Sequence, residues 1–499
     1  MKHIFIYILS AALLSAGCKK QLDIKPEGVF TESMTLGSSS TAEALLSDAY
    51  YKSYQATMLS STDNGMGHML GDASTGISIV GSVTLAGYPT LNGTALNTNT
   101  FTANLWNGHY AAINEANILI NGLPSQSWSE SLRNQFIAEG KFLRAYNYFR
   151  LLCLFGDGAL NNQPDKPGVP LRLINFQGYD ESQNIPRSKN SQVYAQILKD
   201  LDEAATVLTN TETENLKIRS RAQQATCFAL ASRVALYMGD NDKAIYYSDQ
   251  VLQVTGKYTL LSSPAQVFPD NGAFGSPSNL PLTNEWIFCF PLSYNKNTQD
   301  IHGMYFYKAI GWANNAFIAS YPTGDIRKNM FVQGNTPNAT TAGRVCSVKF
   351  SAGSGSPGPP VRPPNGTAAM RDNIVIIRLA EIYLNKAEAL AKKSGVTQNA
   401  VDMLNAIHQR AGLIPYTIAS FPNADSLVRS IVRERRWEFA YESMDRYDQI
   451  RIATMPNLPP DLGIQNLNPA LANPQKWVLP IPNNDVVLTN GLITQNPGY

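Results

Sequence analysis

Histidine and cysteine are the scarcest reactive residues here, five of each in 499. The histidines are widely scattered, so no metal-ligand cluster can be read from them. No CxxC pair occurs, and the wide spacing of Cys153, Cys227, Cys289 and Cys346 excludes a zinc knuckle. HExxH, GxSxG and Walker motifs are missing as well, which removes the commonest hydrolase and nucleotide-binding readings. Charge is also sparse: 16% of residues, 40 basic against 38 acidic, for a net charge of +2. With no basic block anywhere, there is no electrostatic footprint for a polyanion, so nucleic acid is not an expected partner. No apolar run after the first residues is long enough for a membrane span.

What is present begins with a processing signal. Lys2 and His3 open it, Ile4 to Leu14 form an apolar run, and Ser15-Ala16-Gly17-Cys18 follows. The run is shorter than the ~20 residues of a transmembrane helix and reads as a secretory signal, residues 1–17. A cysteine directly after small residues makes it a lipoprotein signal, with Cys18 the lipidation site. Several acyl chains on one residue give lasting membrane attachment where one does not. The remaining cysteines read as buried thiols; Cys153 and Cys227 lie in apolar helical runs.

Residues 18–40 form the expected lipidated N-terminus and tether, and 41–499 a single domain. Within it, helical periodicity dominates 41–57, 104–255 and 372–452. Residues 58–100 and 256–371 are rich in Gly, Pro, Ser and Asn, and the run from Ser351 to Thr367 is a loop. Ala229 to Leu252 predicts a helical hairpin turning at Gly239-Asp240-Asn241-Asp242. It resembles a tetratricopeptide repeat, as does Arg378–Lys393 paired with Thr397–Arg410. The expected fold class is therefore mainly α: tetratricopeptide-like helix pairs stacked into an α-α superhelix, with long irregular excursions forming a ligand face.

The stretch Arg433 to Arg451 is both strongly charged and strongly aromatic. Read as one helix, it places Trp437, Ala440, Tyr441, Met444 and Tyr447 on one stripe, with Val432, Phe439 and Ile450 nearly opposite. Glu434, Glu438, Glu442 and Asp445 share a flank, with Arg435 and Arg446 within i,i+3 or i,i+4 reach. Such a row could be an acid/base site. Because partly buried charges are usually paired, it is read as a salt-bridged structural helix packed on two sides.

These pieces, in this order, resemble the SusD/RagB family of nutrient-capturing surface lipoproteins. The resemblance rests on LDIKPEG after Cys18, on LWNGHYAAINEANILI, and on AEGKFLRAYNYFRLLCLFGDGAL. It continues through GDIRKNMF (Gly324 to Phe331), RLAEIYLNKAEAL, LNAIHQRAGL, the Arg433–Arg451 motif and the closing VLPIPNNDVVLTNGLITQNPGY. His408 stands where an arginine is more usual. Lys19 and Lys20 stand where surface-export signals are often acidic. The resemblance implies a non-enzymatic protein without cofactors, anchored in the outer membrane and facing the cell exterior. It also implies a SusC-like TonB-dependent barrel as partner. Its cargo would be an oligosaccharide or polysaccharide, with peptide capture the alternative. A helical-repeat interaction scaffold with no transport role is the reading from another class.

Sugar rings stack their C–H faces on exposed aromatics, while polar side chains bond the hydroxyls. Trp312, in Gly311-Trp312-Ala313-Asn314-Asn315, is the leading candidate. Tyr294, Tyr305, Tyr307 and Tyr88 follow, with His68 in the expected loop DNGMGHMLGD. Trp106 and Trp437 sit on helical stripes and are expected in the core. Asp63, Asn64 and Asp72 do not match a calcium-binding EF-hand loop.

Overall fold

The computed structural model describes residues 32–59, 66–81, 83–176, 178, 180–268, 282–291, 311–333, 344–347, 349 and 373–499. The principal helices are α1 (Ser39–Met58), α2 (Met66–Ala73), α3 (Thr100–Gly122), α4 (Glu130–Phe155), α5 (Asn190–Val207) and α6 (Gln224–Met238). They continue as α7 (Asn241–Leu252), α8 (Leu379–Ser394), α9 (Gln398–Arg410), α10 (Ala424–Glu438) and α11 (Asp445–Arg451). Chemistry at the ends sets these limits. Ser129 accepts a hydrogen bond from the Leu132 N–H to open α4, and Gly156 follows its end. Asp240 does the same for α7 through the Lys243 N–H, after Gly239 turns the chain at φ 85°.

Packing runs from neighbour to neighbour: α1 on α3, α3 on α4, α4 on α5, α5 on α6, α6 on α7, α7 on α8, and α8 on both α9 and α10. This is the stacking order of helix pairs, in which each hairpin buries its apolar face on the next. In the α6–α7 hairpin, small residues permit close approach, and the Ser232 and Ser248 hydroxyls meet at 2.8 Å. Charged clamps cross-link the stack. Arg144 of α4 grips Asp200 of α5 at 2.8 and 2.7 Å, and Arg233 of α6 grips Glu381 of α8 at 2.6 Å twice. One large apolar core runs through α1 to α8, and a second lies among α8, α9 and α10.

Three two-stranded ribbons complete the described fold: β1 (Ser78–Val80) with β3 (Gly311–Ala313), β2 (Trp286–Phe290) with β6 (Ile374–Arg378), and β4 (Phe331–Gln333) with β5 (Val345–Ser347). All are antiparallel. Trp286, Phe288 and Phe290 of β2 are buried; Phe288 and Phe290 pack on α1 and α4 through Tyr50, Tyr54 and Phe142, and Trp286 packs on Phe268. This part of 256–371 therefore belongs to the core. Likewise 58–100 carries a helix, α2, where a loop was expected; its glycines conceal a buried, Met-rich face. Cys153, Cys227 and Cys289 are free and buried. Burial pushes the Cys153 and Cys289 thiols up to about 12, so neither is a nucleophile.

The Arg433–Arg451 stretch is not one helix. α10 ends at Glu438 and α11 starts at Asp445, with Tyr441 at φ 69° and Ser443 at φ 62° between them. Such left-handed backbone is costly for non-glycine residues and persists only where surroundings enforce it. Here tertiary partners take the backbone groups that helical continuation would satisfy. Lys349 Nζ donates to the carbonyls of Glu438 and Ala440 at 2.9 and 2.8 Å, and Arg378 Nη2 donates to that of Glu438 at 2.9 Å. Asp72 of α2 accepts from the Tyr441 and Ser443 N–H groups at 3.2 and 2.9 Å.

The acids of this stretch are paired, as read from sequence, but mostly with partners from elsewhere. Glu434 meets Arg327 and His408, Glu438 meets Arg327, Arg378 and Arg410, and Glu442 meets Lys349 and Arg378. Only Asp445 and Asp448 use arginines of the same stretch, Arg436, Arg435 and Arg451. Burial raises the Glu438 carboxyl, but Arg410, Arg378 and Arg327 outweigh it and hold Glu438 well below the usual carboxylate range. His408 places Nδ1 2.8 Å from Glu434 and stacks on Tyr416, a local contact.

Candidate functional site

The broken helix supports a small surface shelf. Asp72 pins the turn between α10 and α11, and three residues later Arg436 Nη2 donates to the Thr75 carbonyl at 2.9 Å. Arg436 is itself fixed by Asp445 and lies over Phe317, 5.2 Å from its ring centre. Gly76, at φ 72°, then turns the chain into β1. The Asn314 N–H donates to the Ile77 carbonyl at 3.1 Å, which locks the register Ser78↔Ala313, Ile79↔Trp312 and Val80↔Gly311.

That register decides what the shelf presents. Directly opposed residues in a ribbon share a face, and Ser78 and Ala313 point inward, both buried. Ile79 is 40% exposed and Trp312 half-buried, so these two form the outward pair. The Arg344 guanidinium lies 3.8 Å from the Trp312 ring centre. A cation at that distance over indole is attracted to the ring and brings five N–H donors to its edge. The guanidinium therefore covers one face of the indole and sets a donor fork there for hydroxyls; the half-exposed remainder of the ring, with Ile79, is the apolar surface left to meet the C–H face of a pyranose.

Of the residues expected from sequence, Trp312 stands on a strand edge rather than a free loop, yet remains accessible. Tyr88 is half-buried at the start of a separate four-residue helix, Tyr88–Leu91, and no ring contact joins it to Trp312 among the described residues. His68 corrects the loop expectation. It sits inside α2, 2% exposed, and burial followed by the charge of Arg150 pushes its imidazole down to about 3. Tyr294, Tyr305, Tyr307, Cys18, Asp63 and Asn64 lie outside the described residues. Asp72 serves as a backbone cap; burial and then Asp445 raise its carboxyl to about 8. Trp106 and Trp437 are core residues, as expected, at 2% and 5% exposure. Arg344 was not anticipated. Only its place one residue before the short strand β5 hints at it, and the ring it covers lies on β3, a strand of a different ribbon.

A second concavity, of about 200 Å³, lies between Phe268, Met330 and the charged cluster of Arg327, Lys349, Arg378 and Glu438. Arg327, Lys349, Arg378 and Glu438 are all engaged in ion pairs. What remains for a ligand is mostly apolar wall, which fits an oligosaccharide less well than the shelf does.

Two family models match the chain: residues 290–499 fit the SusD family, and residues 42–236 fit a family described as starch-binding and associating with the outer membrane. A SusD-like protein of Formosa agariphila is 25% identical over 444 residues, covering 79% of this chain and 80% of that protein. A SusD superfamily structure from Bacteroides vulgatus superposes with a TM-score of 0.74 at 20% identity, over 93% of this chain and 99% of the other. Surface glycan-binding protein A from Bacteroides thetaiotaomicron superposes at 0.71 with 18% identity, over 93% and 100%. At those identities, the two structural likenesses establish the helical fold.

Proposed function

Because the chain belongs to the SusD/RagB family, we propose that it binds an oligosaccharide or polysaccharide at the cell surface and passes it to a SusC-like TonB-dependent barrel in the outer membrane. The observation that carries the cargo assignment is the accessible Trp312 with Arg344 laid over its ring. The family description as starch-binding and outer-membrane-associated supports it. Acylation at Cys18 tethers the body to the membrane, and the helical stack serves as a rigid mount for the shelf. Binding needs no proton transfer, so the protein acts by capture and positioning rather than by catalysis.

Calorimetry against panels of oligosaccharides and oligopeptides tests the assignment. Trp312→Ala is expected to weaken binding of the preferred glycan by about tenfold or more, as removal of a central aromatic anchor does. Its thermal unfolding should stay close to that of the parent, since the ring is half-exposed. Unchanged affinity in a folded Trp312→Ala protein would move the site elsewhere, and a response to peptides alone would replace the cargo class. Delivery is tested separately, by purification of the tethered protein from membranes: a large β-barrel should accompany it.

A further inference from the structure

Where α4 ends, the loop after Gly156, the end of α11 and residues 474–478 surround a cavity of about 200 Å³ that opens to solvent. Its walls are pinned from several directions. Asn161 Nδ2 donates to the Ile450 carbonyl at 2.7 Å, and Asn190 Nδ2 donates to the Asp157 and Gln163 carbonyls at 2.7 and 2.9 Å. The Trp477 indole N–H donates to the Leu471 carbonyl at 2.9 Å, and the Leu479 N–H to that of Leu154 at 2.8 Å. A pocket braced in this way is formed before any guest arrives, so binding orders little.

The lining combines apolar surface with polar groups of both kinds. Leu160, Ile450, Trp477 and Val478 are buried and supply the apolar part. Gln163 and Gln475 are exposed, and their side-chain amides bond to no other group among the described residues. Each lies close against a left-handed glycine: a Cβ at Gly158 would stand 2.8 Å from Gln163, and one at Gly498 2.9 Å from Gln475 Oε1. Both amides therefore keep donors and an acceptor to give. Asp157 and Lys166 also line the cavity and pair at 3.3 Å, so their charges cancel.

Resting on the glycan reading of the Trp312 shelf, we propose that this cavity takes one neutral pyranose unit and is a second point of attachment for the same cargo. A sugar hydroxyl both donates and accepts, as each amide does, while Asp157 beside Lys166 offers an acceptor next to a donor for neighbouring hydroxyls. The C–H face of the ring meets the apolar lining. The volume equals about seven waters at ~30 Å³ each, the space of one ring rather than of a chain. Residues 468–474 join the two sites. Asn468 Nδ2 donates to the carbonyl of Ser74, just before β1, at 3.1 Å, and Pro474 lines the cavity. Extended chain covers at most ~3.6 Å per residue, so shelf and cavity lie within roughly 40 Å of each other. A long polysaccharide held at one thus gains effective concentration at the other.

Saturation-transfer NMR on the Trp312→Ala protein isolates the cavity, with the methyl glycosides of glucose, galactose, mannose and xylose as probes. At least one should still receive saturation, and that signal should vanish when Gln163→Ala and Gln475→Ala are added. Transfer to none of the four overturns the assignment, as does transfer that survives the two amide changes. Both glutamines are exposed, so these variants should melt with their parent. With Trp312 intact, the paired changes should leave the affinity for a short oligosaccharide unaltered and weaken that for a long chain of the same sugar by about tenfold or more. An unweakened long chain would remove the second point of attachment. Failure of every glycan in the calorimetric panel sinks the cargo reading itself, whereas glycan binding that needs Trp312 but gives no cavity signal removes this site alone.

Discussion

Arg378→Met is expected to lose about 3–5 kcal/mol of stability, the usual result of stripping one partner from a buried ion cluster. All five guanidinium N–H bonds of Arg378 are used: Nε to Glu442, Nη1 to Glu285 and Glu438, and Nη2 to Glu442 and to the Glu438 carbonyl. Methionine fills the volume but leaves three carboxylates short of counter-charge. Arg410 still reaches Glu285 and Glu438, and Lys349 still reaches Glu442, so the loss is bounded rather than total. Against total stabilities of about 5–15 kcal/mol, it is nonetheless large. Urea unfolding at neutral pH measures it, with Arg378→Lys expected in between because lysine restores charge but not the fork. A loss below about 1 kcal/mol would mean that the cluster is screened like a surface pair.

Gly71→Ala should be the most damaging single-methyl change in the described fold. A Cβ at Gly71 would stand 2.4 Å from the carbonyl carbon and oxygen of Ser443, both backbone atoms. Ser443 cannot retreat, because its own N–H is held by Asp72 and its φ is already left-handed. Helix α2 must therefore lift off the turn. Gly140→Ala is the matched control: also within a helix, its Cβ would meet neighbours only at 3.4 Å and beyond. Alanine there should be neutral, or stabilising by up to about 1 kcal/mol through helix propensity. Gly71→Ala is expected to lower the melting temperature by several degrees or to prevent folding. A Gly71→Ala protein as stable as Gly140→Ala would show that α2 does not clasp the turn so closely.

The helical stack was legible because its signals are local. The Gly239 turn, the Ser129 and Asp240 caps and the 3.6-residue periodicity of α3 to α9 all lie within a few residues of what they determine. The interior of Arg433–Arg451 was legible in chemistry but not in shape. Periodicity alone carries the helix through Phe439 to Met444; what breaks it are Asp72, Lys349 and Arg378, far away in sequence. Tertiary packing also hid Arg344, whose role exists only once β5 lies beside β3. His68 misled for a different reason, since the glycines around it imitate a loop in the sequence while Gly67 and Gly71 serve close helix packing.

The shelf is built from two three-residue strands drawn from opposite halves of the chain, and that origin sets its place in the order of folding. Closing so long a loop for so few ladder bonds is entropically poor. The helical stack can form through neighbour contacts alone, so the shelf assembles late, on a finished mount. By the same reasoning it opens first, through local excursions that leave the stack intact. Its amides should exchange with solvent long before those of the largely buried β2–β6 ribbon. A sugar chain laid across Ile79 and Trp312 would then staple the two strands, and cargo would complete the last part of the fold.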